Sequence, residues 1–364
     1  MTTRRGFLKG AASGIIFCSC GLLDAAHAQQ PARAHRPVMV KGKRVKTIDV
    51  HAHVLFQDAN NLMGEEASRI APNAVKGAPQ TFITSVAERL EAMDNMAIDM
   101  EVLSINPFWY RKERDVAAQI VKIQNEKLAE LCGAQPERFA AFASLALQHP
   151  DLAVEQLDHA VRKLGLKGAA IGGSVLGESF HEARFNPVWA KAEELGAVLF
   201  IHPQSTPELA NRFKGNGWLS NTIGNPLETT IALQHLIFEG TLDRFPHLKI
   251  VAAHGGGYLP SYANRSDHAC FVSPAGCNPD IKLSKKPTDY LKQMYFDALV
   301  FTPEALRHMV AQVGASQIVL GSDHPYPWEQ HPVDHVLSTS SLSDQQKAAI
   351  LGGNAAKLFG FKSV

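Results

Sequence analysis

One apolar run, from Lys46 to His53, ends on two histidines and constrains the chain more than any other feature. It reads Lys-Thr-Ile-Asp-Val-His-Ala-His, with the alternation that is typical of a strand. Residues i and i+2 of a strand point to the same face, so His51 and His53 can direct two imidazoles at one ion. Taken alone, the motif fits a pair of surface histidines about as well as a metal site.

Three later strand-like runs also end on a side chain that can bind metal or transfer a proton. They are residues 197–202, 249–254 and 317–323, which end on His202, His254 and Asp323. The repetition favours a metal centre built at strand ends over isolated surface histidines.

Strand and helix patterns alternate through the rest of the chain. Roughly eight strand-like segments are each followed by a helical segment, which predicts an α/β fold of parallel strands with helices outside. A closed (β/α)8 TIM barrel typically takes about 250 residues. Residues 44–362 are therefore predicted to form one barrel domain, with loop insertions after the first and sixth strands. Its chemistry would lie at the carboxyl ends of the strands.

Two features of the chain near the first strand refine this prediction. An open doubly wound sheet is the alternative fold, but it would need a Gly-rich phosphate-binding turn where His-Ala-His stands. The polar segment from Phe56 to Phe82 is too long for an idle connection, and we expect it to form a lid or pocket wall.

The first 43 residues are predicted to precede the barrel. Thr-Arg-Arg-Gly-Phe-Leu-Lys at residues 3–9, an apolar stretch and then Ala26-His27-Ala28 follow the order of a twin-arginine export signal. The apolar stretch is too short for a stable membrane anchor. We therefore expect residues 1–28 to be a cleaved signal peptide and the mature protein to work in the periplasm. Residues 29–43 lack apolar periodicity and are predicted to be a disordered leader.

Charge and cysteine content bear on the possible binding partners and disulfides. A net charge of +1, with no Lys/Arg cluster outside the N-terminus, argues against nucleic-acid binding. Beyond the predicted signal lie Cys132, Cys270 and Cys277. An oxidising compartment permits a Cys270–Cys277 bridge, and buried or free thiols remain equally plausible.

Taken in order, the motifs resemble the amidohydrolase superfamily. Within it they are similar to the subgroup of α-amino-β-carboxymuconate-ε-semialdehyde decarboxylase and its aromatic-acid decarboxylase relatives. The resemblance covers the chain from about Lys46 to Phe359. The matching segments are Ile48–His53, Ile201–Pro203, Phe245–Gly257, Arg265 with Asp267, and Leu320–Pro327.

The resemblance implies that His51, His53, His202 and Asp323 bind one divalent ion and leave a position open for water. Independently, three imidazoles and a carboxylate suit zinc, and manganese is the other option. Two-metal members of the superfamily use a carboxylated lysine at the tip of the fourth strand. Here that tip reads Ala-Ala-Ile-Gly-Gly and Lys167 lies at the strand's beginning, so a single ion is favoured.

The resemblance also assigns catalytic and substrate-binding roles. His254 would be the acid or base beside the metal, Asp323 would take part in catalysis as well as ligation, and Arg265 would bind the substrate carboxylate. From the residues alone, a buried structural His254 and a salt bridge from Arg265 to Asp267 remain open.

Other aromatic and histidine residues are less informative. An aromatic substrate could be walled by Phe108, Trp109 and Trp218, although such residues more often belong to the core. Four further histidines are interpreted as structural or surface residues: His181, His235, His324 and His331.

Two enzyme hypotheses follow. The first is a metal-dependent, non-oxidative decarboxylase of a small aromatic or unsaturated carboxylic acid. The alternative is a hydrolase of a C–O, C–N or C–C bond that uses the same ligands. A periplasmic binder of metal or organic acid is a non-enzymatic alternative. The expected partners are the acid substrate and the twin-arginine export machinery; whether the protein is a homo-oligomer is left open.

Overall fold

A computed structural model of the protein describes residues 36–69, 85–204 and 206–362. The predicted signal peptide, residues 1–28, lies outside the described residues, as do residues 29–35 of the predicted leader and residues 70–82 of the predicted lid. In the described part, parallel strands alternate with helices as the sequence predicts.

The strands of the described residues are numbered in chain order. They are β1 (Val38–Val40), β2 (Lys43–Val45), β3 (Ile48–His53), β4 (Met100–Ser104), β5 (Phe139–Ala141), β6 (Gly168–Ile171), β7 (Val198–Ile201), β8 (Lys249–Ala252), β9 (Met294–Asp297) and β10 (Ile318–Val319).

The α-helices of the same residues are numbered likewise, and none of them is long and apolar enough to cross a membrane. They are α1 (Gln57–Met63), α2 (Val86–Asn95), α3 (Arg114–Ala134), α4 (Pro150–Arg162), α5 (Asn186–Leu195), α6 (Leu219–Thr222), α7 (Gly224–Phe238), α8 (Thr241–Arg244), α9 (Leu259–Ser266), α10 (Ala269–Val272), α11 (Pro287–Tyr290), α12 (Pro303–Val313), α13 (Pro332–Ser338), α14 (Asp344–Ala348) and α15 (Asn354–Phe359).

Strands β3 to β10 close into a barrel. β3, β4 and β5 pair in parallel, and β6 to β10 form a second parallel set. Parallel bridges join the two sets at both seams, from Ala143 to Ala169 and from Asp49 to Leu320. At the second seam the amide of Val50 donates to the carbonyl oxygen of Leu320 at 2.9 Å. The predicted (β/α)8 barrel is confirmed.

Alternate strand residues divide between two buried clusters. In β7, Val198 and Phe200 belong to the cluster that fills the barrel, whereas Leu199 and Ile201 pack in the larger cluster under the helices. This division follows from the period of two in a strand. The inward series continues to His202, which therefore lies at the mouth of the barrel.

A β-bulge reverses this alternation in β3. Ile48 and Val50 belong to the inner cluster, so strict alternation would turn His51 and His53 outward. The register against β4 shifts before Ala52, and Ala52 packs in the outer cluster. Because a bulge inserts one extra residue, it exchanges the faces of the residues that follow it. Both histidines consequently point into the barrel.

The predicted disordered leader, residues 29–43, is wrong for its last part, which forms the β1–β2 hairpin. Val38 and Val40 are buried on one face of β1. Lys41 and Gly42 both have positive φ, 50° and 75°, as a two-residue type I′ hairpin turn requires. The alternating Val-Met-Val followed by Lys-Gly was the overlooked signal.

The loops at the carboxyl ends carry the insertions. The segment after β3 forms α1 and a 3-10 helix over Gly64–Arg69 before the described residues stop. The insertion after β8 contains α9 and α10, and there Cys270 and Cys277 form a disulfide with Cα atoms 5.6 Å apart. A third insertion, residues 203–223 after β7, was not predicted, and it forms much of the cavity wall described below.

Candidate metal centre and active site

The structure brings the four predicted metal ligands together at the carboxyl ends of the strands. One ligand atom from each of His51, His53, His202 and Asp323 lies within 4.8 Å of the others, and all four residues are buried. The Nε2 atoms of His51 and His53 are 3.1 Å apart. Oδ1 of Asp323 lies 3.1 and 2.9 Å from those two nitrogens. The donor atoms therefore converge on one point.

His202 shows most directly that this point suits an ion. It is 4% exposed, and neither of its ring nitrogens has a hydrogen-bond partner among the described residues. Burying polar atoms without partners costs about 1–3 kcal/mol, which coordination would offset. Three imidazoles and a carboxylate form a site for one divalent metal ion. Lys167 lies elsewhere, at the beginning of β6, with its Nζ 5.6 Å from the ring centroid of Phe361.

The two histidines of β3 are oriented by hydrogen bonds on the side away from the ion. Nδ1 of His51 lies 2.6 Å from Oδ2 of the buried Asp297. Nδ1 of His53 lies 2.9 Å from Oγ of Ser104, whose hydroxyl donates to the carbonyl oxygen of Ala52 at 3.1 Å. Each Nδ1 therefore donates its proton, and each Nε2 keeps a lone pair for the ion.

Asp297, at the end of β9, was not identified from the sequence. Its Oδ2 also accepts the backbone amide of His254 at 2.9 Å, and its Oδ1 accepts that of Gly255 at 2.8 Å. One carboxylate thus fixes a ligand on β3 and the backbone after β8. The signal was available, because the strand-like run of residues 294–297 ends on Asp297 as the ligand strands end on theirs.

Glu101 is a second residue that was not identified from the sequence, and its contacts connect β4 to residues next to the metal ligands. It is fully buried on β4, where its Oε2 accepts from Nε of Arg89 at 2.7 Å and its Oε1 lies 2.8 Å from Nδ1 of His324. Arg89 also donates to the carbonyl oxygen of His53 at 2.8 Å. Burial opposes ionisation, but Arg89 and His324 outweigh it and lower the pKa of Glu101 to about 2.

The charges at the centre favour a cation. Burial lowers the pKa of His51, but Asp323 and Asp297 outweigh it and raise that pKa to about 10. Burial lowers the pKa of His53 to about 4 and that of His202 well below its usual range. The two carboxylates thus attract one positive charge, which a metal ion would supply, and the other two imidazoles stay neutral and able to ligate.

His254 stands beside the ligands. Its Nε2 lies 3.6 Å from Oδ2 of Asp323, and its side chain is 17% exposed. A φ of 54° turns it out of the line of β8. The glycines that follow are required by close packing, since a Cβ at Gly257 would lie 2.0 Å from the carbonyl oxygen of Pro226. His254 is therefore positioned to exchange a proton with a molecule at the barrel mouth.

Comparison with known proteins agrees with this geometry. The model of the family described as Amidohydrolase matches residues 48–361. The chain belongs to the amidohydrolase family.

The curated relatives and the solved structure to which this amidohydrolase is similar are decarboxylases. It is 32% identical over 279 residues to 2-amino-3-carboxymuconate-6-semialdehyde decarboxylase of Dictyostelium discoideum, covering 75% of this chain and 76% of that protein. It is 30% identical over 286 residues to gamma-resorcylate decarboxylase of Rhodococcus jostii, covering 74% and 86%. A dihydroxybenzoic acid decarboxylase of a Polaromonas species, solved with manganese and the inhibitor 2-nitroresorcinol, superposes with a TM-score of 0.74 at 26% identity, covering 87% and 97%. The resemblance to this subgroup is confirmed.

A cavity of about 460 Å³ opens over the metal ligands of the amidohydrolase, and both His202 and Asp323 line it. Aromatic side chains from several loops form its walls: Phe108, Phe213, Trp218, Tyr326 and Trp328. Of the three aromatic residues considered from the sequence, Phe108 and Trp218 line this cavity. Trp109 belongs to the core, where it is fully buried and its Nε1 donates to the carbonyl oxygen of Leu145.

Among the residues that line this cavity, Lys214 is the one lysine, and there is no arginine. It was not identified from the sequence. It lies in the insertion after β7 and forms no ion pair with any residue that the structure describes. Arg265, by contrast, lies exposed on α9 and is absent from the cavity lining. Asp267 accepts from the amide and hydroxyl of Thr288 at 2.9 and 2.8 Å. Within the described part of the chain, Arg265 therefore neither lines this cavity nor forms an ion pair with Asp267, and its role in substrate binding stays a prediction.

Proposed function

We propose that this protein is a metal-dependent, non-oxidative decarboxylase of a small aromatic or unsaturated carboxylic acid. The observation that carries the proposal is the buried three-histidine, one-aspartate cluster at the floor of an aromatic-walled cavity, with His254 beside it. The names of the similar proteins, which are decarboxylases of muconate and hydroxybenzoate acids, support the reaction class.

The residues at the site match what decarboxylation requires. When the bond from the carboxyl group to the ring or chain carbon breaks, its electron pair stays on that carbon, a proton takes its place and CO2 leaves. A divalent ion held by the four ligands would supply Lewis-acid stabilisation of charge on substrate oxygens. His254 is placed to transfer the proton, and the carboxylate of Asp323 beside it stabilises the charged imidazole.

For the ion itself we propose zinc. Three histidine nitrogens and one aspartate oxygen are a donor set that zinc accepts readily. Manganese, which the Polaromonas enzyme holds, is the alternative. Elemental analysis of protein purified without added metal decides between them.

Lys214 is proposed to attract the substrate's carboxylate. It is the one lysine among the residues that line the cavity, and it forms no ion pair with a described residue. A positive charge at the cavity wall raises the local concentration of an anionic substrate.

A substrate screen tests the proposed reaction. Metal-free and zinc- or manganese-loaded mature protein would be incubated with hydroxybenzoic and muconic acids, and both CO2 and hydrolysis products would be followed. Metal-dependent CO2 release is the expected result. Hydrolysis without CO2 would establish the hydrolase instead, and tight binding without turnover of any acid would point to a binding protein.

We also propose export through the twin-arginine route, with cleavage near Ala28 and a periplasmic location. The support is the residue order at positions 3–9 and the Ala-His-Ala that ends the apolar stretch. A precursor with Arg4→Lys and Arg5→Lys should stay in the cytoplasm. Mature protein in the periplasmic fraction of that double variant would contradict the assignment.

Finally, we propose that the protein is a homo-oligomer. Tyr262, Phe271 and Val272, on α9 and α10, are 69%, 85% and 75% exposed, which is unusual for a group of large apolar side chains. Substrate binding by Arg265 would then require a second copy of the chain, because Arg265 lies outside the cavity of its own chain. Light scattering of the mature protein should show more than one chain per particle, and a monomer at micromolar concentration would contradict this.

A further inference from the structure

A second group of metal-binding side chains lies apart from the metal centre. His181 belongs to the loop after β6, and His235 and Glu239 lie four residues apart at the end of α7. One ligand atom from each lies within 4.8 Å of the other two. None of the three lines the cavity, and the sequence interpretation assigned both histidines to structural or surface roles.

The side chains of this group are available to an ion. Nδ1 of His181 is buried without a hydrogen-bond partner, and its Nε2 lies 3.5 Å from Oε1 of Glu182. Nδ1 of His235 lies 3.9 Å from Oε1 of Glu239. The two imidazoles stack with ring centroids 4.8 Å apart. None of the three side chains makes a hydrogen bond among the described residues, so small rotations would bring their donor atoms to the roughly 2.1 Å that zinc requires.

Solvent reaches the group directly. The side chains of His181, His235 and Glu239 are 24%, 40% and 34% exposed. An ion can therefore enter without opening the barrel, and a water molecule can complete its coordination. Glu182 adds a further negative charge next to the cluster.

We propose that His181, His235 and Glu239 form a second, surface site for a divalent transition-metal ion such as zinc. Two imidazoles and one carboxylate are three of the four donors of a tetrahedral zinc site. His235 and Glu239 present their donors to the same side because residues four apart are neighbours on a helix. The third donor comes from another segment of the chain, so the ion would join two elements.

Of the two elements that this ion would join, α7 lines the cavity through Asn225, and the loop after β6 packs against α7 and against the insertion that walls the cavity. A Cβ at Gly173, in the loop after β6, would lie 2.3 Å from Cγ of Glu228 on α7. A Cβ at Gly177 in the same loop would lie 2.7 Å from Oε1 of Glu208, in the insertion that walls the cavity. The loop thus packs closely against both neighbours. A bound ion would restrain it from the outer side and reduce its local opening.

Zinc titration of metal-free mature protein by calorimetry tests the site. Wild type should bind about two zinc ions per chain, and His235→Ala and Glu239→Gln should each bind about one. His159→Ala, which removes an exposed histidine of α4, is the matched control and should bind as wild type does. One ion per wild-type chain, or an unchanged stoichiometry in both cluster variants, would overturn the proposal.

Two further measurements test the surface site independently of folding defects and of enzyme activity. In Asp323→Ala protein, Cu²⁺ should give an electron paramagnetic resonance spectrum with two nitrogen ligands. Adding Glu239→Gln, a mild surface change, should weaken Cu²⁺ binding at least tenfold. Zinc should slow hydrogen exchange over residues 172–182 in wild type and not in Glu239→Gln; equal exchange in both would refute the coupling to the loop. Neither measurement needs a substrate, so the decarboxylase proposal stands or falls separately.

Discussion

The metal centre and the cavity wall are held in place very differently. The ligands are buried at strand ends, and buried partners such as Asp297 and Ser104 hold the rings of the two β3 histidines. The wall contributed by residues 203–223 is mostly exposed. Its side-chain hydrogen bonds are few among the described residues, for example from Oγ1 of Thr206 to the carbonyl oxygen of Gly224. We therefore expect the frame, which comprises the ligands and their buried partners, to set the reaction type, and the exposed insertion to set substrate choice.

The difference teaches where changes should act. Substitutions in the frame should alter metal binding, catalysis or stability, whereas substitutions in the wall should alter substrate affinity alone. Five predictions test that division, from the largest expected effect to the smallest.

Asp323→Ala should abolish metal binding and activity together. Removing one of four ligands leaves an underfilled site and also removes the carboxylate beside His254, so the rate should fall by about 10⁴-fold or more. Metal per chain and CO2 release are measured on the same preparation, with His202→Ala as a second ligand variant. A folded variant with unchanged metal content would show that the ligand assignment is wrong.

His254→Asn should retain the metal and lose catalysis. The side chain is a neighbour of the ligands, and loss of a positioned acid or base lowers kcat by about 10²–10⁴-fold. Metal analysis and kcat are compared with wild type. If the metal were lost as well, His254 would be a ligand rather than the proton-transfer group.

Glu101→Gln should destabilise the frame without touching the ion. The pKa of Glu101 in the folded protein, about 2, lies below its ordinary value of 4.5, so the unfolded state binds more protons between these pH values. Its stabilisation is present above about pH 4.5 and is lost as the pH falls towards about 2. At neutral pH the variant should lose on the order of 3 kcal/mol of unfolding free energy.

The check on Glu101 is a series of denaturant titrations from pH 7 to pH 3. The difference between wild type and Glu101→Gln should shrink as the pH falls. Glu91→Gln, at an exposed position of α2, is the matched control and should show no such trend. A difference that stays constant with pH would show that ionisation of Glu101 does not stabilise the folded protein.

Asp297→Asn should weaken metal binding without eliminating it. The carboxylate orients His51 by accepting a hydrogen bond from Nδ1, on the side of the ring away from the ion. Loss of such a partner typically lowers metal affinity about 10–100-fold. Competition with a chelator of known affinity measures the change. Wild-type affinity would mean that the backbone of β3 alone orients His51.

Lys214→Gln should raise KM by about twofold to fivefold and leave kcat and metal content unchanged. The contact is exposed and contributes about 1 kcal/mol or less, and the effect should fade at high salt. Arg212→Gln, a neighbouring exposed cation that does not line the cavity, is the control. Equal effects of the two substitutions would reduce the role of Lys214 to general attraction.

The supporting residues were harder to read from the sequence than the ligands. Asp297 ends β9 and Glu101 lies within β4. Each nevertheless has a histidine partner far away in sequence, His51 for Asp297 and His324 for Glu101. A carboxylate in a strand carries no local sign of which distant histidine it will meet. The leader was misread for the opposite reason, because the local Val-Met-Val and Lys-Gly pattern was sufficient to predict its hairpin.

By itself, the sequence determined the barrel and singled out the four residues of the candidate metal centre, because the period of strands and helices and the chemistry of strand-end side chains are local properties. Only the tertiary structure decided where those side chains point. The bulge in β3 turns His51 and His53 inward, and closure through Asp49 and Leu320 brings Asp323 to them. The placement of Lys214 in the wall, and of Arg265 outside it, was decided in the same way. These outcomes depend on pairing and packing between residues far apart in the chain, which no local pattern encodes.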